Sequence, residues 1–354
     1  MTDLLAGLNP PQREAAAHID GAMLVLAGAG SGKTRVLTHR IARLISLGIK
    51  PWNILSVTFT NKAAKEMRER VVQMTGQGGE SVWLRTFHSA CVRILRRDIE
   101  KVGYTNSFNI YDSDDQMRLM KRILQDNNWI PKDINDVKVR PQTLAKRYLR
   151  VIEMAKLKPR RFDQICSFIE ENGDFIQNPL VEPVDVFLAY HNRLKKSNAI
   201  DFNDIINMTV HLWEDHPDIL RYWRNKFKYI MVDEYQDTNP AQYQLLRLLA
   251  GQHNNIMVVG DDDQSIYGFR GADIENVNNF KVDFAAKVVR LEQNYRSVGN
   301  VIATANSIIQ NNPSRLAKKM WTEAPDGELI DSIEPTRHVA FPDERWEAKE
   351  ICKK

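Results

Sequence analysis

The stretch Ala27-Gly28-Ala29-Gly30-Ser31-Gly32-Lys33-Thr34 restricts what this chain can fold into more than any other. It lies between a short apolar run at residues 24–27 and a helical pattern with Val36, Leu37, Ile41, Leu44 and Ile45 on one face. Small residues in succession let a backbone bend around a phosphate and turn its N–H groups inward, and the helix that follows adds its partial positive charge. Gly28, Ala29, Gly30, Ser31 and Gly32 would then form the cradle, Lys33 would reach the β- and γ-phosphates, and Thr34 would hold Mg²⁺. ATP and Mg²⁺ are therefore the expected cofactors. The strict pattern has Gly where Ala27 stands, a mild departure because the spacing and the strand-loop-helix context are intact.

Further apolar runs at 54–58, 82–86, 229–232, 256–259 and 288–291 each end in a polar turn before a helical pattern. That alternation predicts an α/β fold with a parallel sheet covered on both faces, and ligands in such sheets bind beyond the carboxyl ends of the strands. From about residue 107 to 196 strand signals thin out and helical periodicity takes over, so a helical insertion should interrupt the first domain. A chain of 354 residues, 43% of them hydrophobic, can supply two or three cores. Three scattered cysteines, Cys91, Cys166 and Cys352, suit neither a disulfide framework nor a zinc site and suggest a reducing cytoplasm. The start of the chain lacks a signal pattern and every apolar run is too short to span a bilayer, so no membrane association is expected.

The apolar run at 229–232 leads into Asp233-Glu234-Tyr235-Gln236-Asp237. Adjacent carboxylates at a strand end suit two tasks, completing a Mg²⁺ shell and polarising the attacking water, and we assign metal to Asp233 and base to Glu234. A neutral amide beside a hydrolysis site can bond the γ-phosphate or the water, and Gln264 is placed for that role in the run from Gly260 to Gly271. The three aspartates just before it lack the alternating spacing of a calcium loop.

Two other run ends, Thr58-Phe59-Thr60-Asn61-Lys62 and Thr86-Phe87-His88-Ser89, combine hydroxyls, an amide and a Lys with aromatic rings. Such sets track a nucleic-acid strand, because the polar groups bind phosphate and any base can stack on a ring. Phe59, Thr60, Asn61, Lys62 and His88 are the candidates, with Tyr267, Phe269 and Arg270 as a further platform; the alternative for each ring is a place in the core. The net charge of +4 does not by itself demand a polyanionic partner, but bases cluster, with nine against one acid over residues 138–161 and four arginines without an acid over 85–97.

Together the phosphate loop, the segments beginning at Thr58, Thr86, Asp201, Asp233 and Gly260, and Leu291-Glu292-Gln293-Asn294-Tyr295-Arg296-Ser297 resemble the UvrD/Rep/PcrA family of superfamily 1 DNA helicases. The resemblance implies two RecA-like domains with ATP between them, helical insertions, and movement toward the 5′ end of a tracked single strand. It implies further that Gln12 reads the adenine edge, that Arg35 and Tyr295 flank its ring, and that Arg296 reaches the γ-phosphate. The family usually carries Trp where Phe269 stands. Single-stranded DNA and single-strand/duplex junctions are the implied partners, in repair or replication. On this reading residues 1–106 and 197–283 form the first RecA-like domain, 107–196 the helical insertion, and 284–354 a truncated beginning of the second RecA-like domain. The expected function is an ATP-dependent 3′–5′ helicase in which this chain is an incomplete motor. The alternative is a non-catalytic module that binds ATP and single-stranded DNA, and a P-loop kinase or GTPase leaves the aromatic run ends without a purpose.

Overall fold

The computed structural model describes residues 4–134, 137–176, 178–312, 316, 318–323 and 346. Cys352 and part of the expected start of a second domain, including residues 324–354 apart from 346, lie outside this set. Six strands form one sheet: β1 (Met23–Ala27), β2 (Ile54–Thr58), β3 (Trp83–Thr86), β4 (Tyr229–Val232), β5 (Ile256–Gly260) and β6 (Lys287–Leu291). Their order is β6-β1-β5-β4-β2-β3 and every pairing is parallel. The registers align the carboxyl ends along one edge, with Ala27 beside Leu291 and Thr58 beside Thr86.

Both faces of the inner strands are covered, which is why β1, β4 and β5 read as unbroken apolar runs. From β1, Met23, Val25 and Ala27 enter one core with Val36, Leu37 and Ile41 of helix α2 (Lys33–Ser46), while Leu24 and Leu26 enter the other. That opposite core also takes helices α4 (Phe87–Asp98) and α9 (Phe202–Asp215). Helix α1 (Pro10–Ala17) precedes the sheet, and α3 (Asn61–Thr75) follows β2.

Helices α5 (Ser113–Asp126), α6 (Pro141–Lys156), α7 (Phe162–Asn172) and α8 (Pro183–Lys196) share a third core built on Met120, Tyr148, Ile169 and Phe187. The chain enters and leaves this unit through Asn109–Tyr111 and Ala199–Asp201, which pair as parallel strands. No described helix is long and apolar enough to cross a membrane.

The run at 288–291, expected at the beginning of a second domain from residue 284, instead bonds as β6 along the whole of β1 and forms an edge of the first sheet. An apolar strand must satisfy its N–H and C=O groups, and the open edge of β1 is where these are met. A helix over Gly299–Ile309, α10, follows it.

Candidate nucleotide site and strand-end surface

The phosphate loop turns between β1 and α2 through Gly30 and Gly32, both at positive φ, 67° and 92°. These positions also admit close neighbours: a Cβ on Gly30 would lie 2.7 Å from Asn294 Nδ2, and one on Gly32 2.7 Å from Gln12 Nε2. Gly32 caps α2 without a side-chain hydrogen bond. The first N–H groups of the helix thus face the loop's concavity, an arrangement that suits phosphate. A cavity of about 460 Å³ opens there, lined by Ala29, Gly30, Gly32, Lys33, Thr34 and Arg35 from the loop and helix. Glu234, Gln264, Tyr295 and Arg296 complete it, so the structure brings these separate parts of the sequence together.

Lys33 Nζ stands 3.5 Å from Glu234 Oε2. Glu234 takes φ 50°, a strained conformation for a non-glycine residue, where the chain turns sharply out of β4. Asp233, directly before it, is buried; burial first and the charge of Glu234 second push its carboxyl up to about 7, with Lys33 acting the other way. Thr34 lines the cavity, whereas Asp233 lies buried directly behind Glu234, so an oxygen donor set for Mg²⁺ would draw on Thr34 from the loop and on Asp233 from the strand end. Gln264 is exposed on the rim and donates from Nε2 to Asp261.

At the other end, Gln12 is buried and donates from Nε2 to Ser31 O at 2.8 Å, while Arg35 donates to Gly7 O at 3.0 Å. Tyr295 is exposed; its hydroxyl accepts from Asn9 Nδ2 at 2.8 Å and donates to Gln293 Oε1 at 2.8 Å. Asn9 also caps α1, the helix that carries Gln12, which draws Gln12 and Tyr295 to one side of the loop.

Several residues of this site escaped sequence reasoning. Gln236, buried, donates to Glu234 Oε2 at 3.0 Å and accepts from the Asp261 N–H at 2.9 Å, tying the two acidic strand ends together. Asn294 donates to Ala29 O at 2.6 Å and accepts from the N–H groups of Arg296 and Ser297. Arg70 of α3 lines the cavity. The only hint for Gln236 and Asn294 was their position inside segments already singled out. The three aspartates surround the ammonium of Lys318, 2.6 Å from Asp261 and 2.9 Å from Asp263, so a side chain rather than calcium fills their midst.

Of the expected nucleic-acid residues, Phe59 to Lys62 follow the carboxyl end of β2, His88 that of β3, and Tyr267 and Phe269 come after β5, each differently constrained. Phe59 is half-buried, edge-on to Phe87 at 5.9 Å. Thr60 spends its hydroxyl capping α3, accepting from the Ala63 N–H at 3.1 Å, while Asn61 and Lys62 are exposed. His88 stacks on Phe202 at 3.8 Å, and burial lowers its pKa to about 4. Tyr267 and Phe269 are exposed, Phe269 to 80%, with ring centroids 6.0 Å apart. Arg270 was expected beside them; its side chain is outside the described set. Phe202, half exposed, was missed as a ring at this edge, and it shares a cavity with Lys146 and Arg150. Part of the basic stretch turns inward: Lys156 is buried between Asp201 at 2.6 Å and Asp204 at 2.7 Å, and Arg161 pairs with Glu214 and Asp215.

Comparison with known proteins places this geometry in context. A profile of the UvrD/REP helicase N-terminal domain matches residues 8–285. The chain is 45% identical over 328 residues to the ATP-dependent DNA helicase PcrA of Bacillus subtilis, covering 92% of this chain and 42% of that protein. It is 43% identical over 344 residues to the protein of the same name from Staphylococcus aureus and to that from Staphylococcus epidermidis, covering 94% of this chain and 44% of each. The chain thus spans less than half the length of these relatives.

Proposed function

Since the chain belongs to the UvrD/REP helicase N-terminal domain family, we propose that it forms the ATP-binding wall and one single-strand grip of an ATP-dependent DNA helicase. The observation that carries this reading is the single cavity shared by Lys33, Glu234, Gln264 and Arg296, with Lys33 and Glu234 3.5 Å apart. Mg-ATP bound there supplies the phosphoanhydride bond whose hydrolysis drives the motor. Lys33 and the N–H groups at the start of α2 neutralise phosphate charge. Glu234 accepts the proton of the attacking water at a carboxylate oxygen that Gln236 orients. Gln264 has committed one amide hydrogen to Asp261, which leaves its second hydrogen for a phosphate oxygen and its amide oxygen to accept from the water. Arg296 counters charge that develops at the γ-phosphate. Gln12, Arg35 and Tyr295 form the base end.

Phe59, His88, Tyr267 and Phe269 follow the carboxyl ends of β2, β3 and β5, and Phe202 lines a second cavity with Lys146 and Arg150; in this reading the rings offer faces on which bases stack, with Asn61, Lys62, Lys146 and Arg150 for phosphates. In this reading nucleotide-dependent movement of such a grip against a second one ratchets DNA, and the proposed direction, taken from the family resemblance, is 3′ to 5′. The second reading is a binding module that takes up ATP and single-stranded DNA without turnover. ATP hydrolysis measured with and without single-stranded DNA separates the two: stimulation by DNA supports the motor, and binding of both ligands without turnover supports the module.

A further inference from the structure

We infer that Lys318 is a positioning residue that couples the segment after α10 to the γ-phosphate end of the ATP site by holding Asp261 and, through it, Gln264. The inference rests on the nucleotide-site reading above and extends it. Asp261, Asp262 and Asp263 place their carboxylate oxygens within 4.8 Å of one another, and the first two are buried. Charges that close repel strongly in a desolvated setting unless a cation lies among them. Lys318, 4% exposed, supplies it, reaching Asp261 at 2.6 Å, Asp263 at 2.9 Å and Asp262 as well. Burial alone would lower the pKa of this ammonium, yet the carboxylates, Asp261 foremost, raise it above its ordinary value.

Two links lead from Asp261 into the cavity. Its carboxylate accepts from Gln264 Nε2, which fixes the orientation of the amide because a carboxylate cannot donate. Its N–H donates to Gln236 Oε1 at 2.9 Å, and Gln236 donates in turn to Glu234. The segment bearing Lys318 touches the phosphate loop as well. A Cβ on Gly28 would lie 1.9 Å from Met320 Sδ, and Trp321 donates to Glu292 O at 3.0 Å and accepts from the Asn294 N–H at 2.7 Å. One short segment therefore contacts the start of the phosphate loop and the turn bearing Gln264. A displacement of that segment would alter both, and Lys318 is the charged link to the Gln264 side.

The test titrates the full 354-residue chain with Mg-ADP and with a Mg-bound, non-hydrolysable ATP analogue. Wild type should favour the analogue. Lys318→Met should reduce that preference about tenfold, the scale of one charge-assisted hydrogen bond, with ADP affinity unchanged. Gln264→Ala should produce the same loss, and the double variant no more than either alone, because the two act in series. Asp262→Asn, which touches Lys318 but not Gln264, should keep the preference. If Lys318→Met does not fold, Asp261→Asn cuts the link from its other side and should reproduce the loss. An unchanged preference in Lys318→Met, additive losses in the double variant, or a wild type that binds both nucleotides alike overturns the inference. Lys33→Ala separates this outcome from failure of the site reading: it should weaken both nucleotides, and unchanged binding of both would remove the nucleotide site and the inference with it.

Discussion

Lys33 projects into the cavity with 12% of its side chain exposed, and its ammonium serves the site rather than the core. Lys33→Ala should therefore weaken Mg-ATP binding by at least about tenfold while the melting temperature stays within about 2 °C, since no packed apolar contact is lost. Calorimetric titration beside a thermal melt checks this, and intact affinity refutes the assignment. His88 makes a different kind of prediction. Burial holds its folded pKa near 4, below the ordinary 6.5, so the unfolded chain takes up the proton first. Stability from this residue is complete above about pH 6.5, declines as the pH falls toward 4, and amounts to at most roughly 3 kcal/mol. Replacing His88 by Phe should flatten the dependence of stability on pH in that window, as read by denaturant melts from pH 4 to 7. An unaltered slope would mean that His88 is solvated.

The elements that join the helical unit to the sheet are held by a buried charge cluster. Lys156, at the end of α6, meets Asp201 and Asp204 at the start of α9, and Tyr190 of α8 donates to Asp201 at 3.3 Å. Removing one partner from a buried pair leaves the others uncompensated, so Lys156→Met should cost about 3–5 kcal/mol. Chemical denaturation measures it, and a loss under about 1 kcal/mol would show that water reaches the pair. At the strand ends, packing separates two aromatic roles. Phe59 is partly committed to Phe87, whereas Phe269 is exposed. Phe269→Ala should weaken single-strand binding by about 1–3 kcal/mol, with little dependence on base sequence, and leave the melting temperature unchanged. Phe59→Ala should lower both. Equal DNA affinity for wild type and Phe269→Ala would remove the loop at 266–270 from the binding surface.

For the whole molecule, the decisive feature is that Arg296 does not stand on an independent wall. Tyr295 donates its N–H to Gly30 O at 3.0 Å, and Asn294 fastens the same segment to Ala29, so Arg296 travels with the phosphate loop. Unwinding requires two DNA grips that move relative to each other, and in phosphoryl transfer an inserted arginine contributes about 10³ to 10⁵ in rate. The described residues supply one such grip, and we predict that the 354-residue chain, assayed by itself, binds nucleotide and single strands but does not separate a 3′-tailed duplex with ATP. A strand-displacement assay decides the point, and robust ATP-dependent unwinding would show that one sheet and its helical unit suffice.

The amino-acid sequence by itself determined the phosphate loop, the acidic strand end at Asp233-Glu234, the amide at Gln264, the six apolar runs and the helical unit between them. Each is written in consecutive residues, because a turn, a strand or a helix face is dictated by neighbours a few positions away. The tertiary structure alone decided which groups complete them: Gln236 with Asp261, 25 positions apart, Lys156 with Asp201, 45 apart, Lys318 with Asp262, 56 apart, and Asn294 with Ala29, 265 apart. The placement of β6 is of the same kind, since its apolar pattern requires a neighbour but does not say which strand supplies it. Local pattern carries the chemistry of a loop, whereas burial and pairing depend on which distant segments the sheet brings into contact.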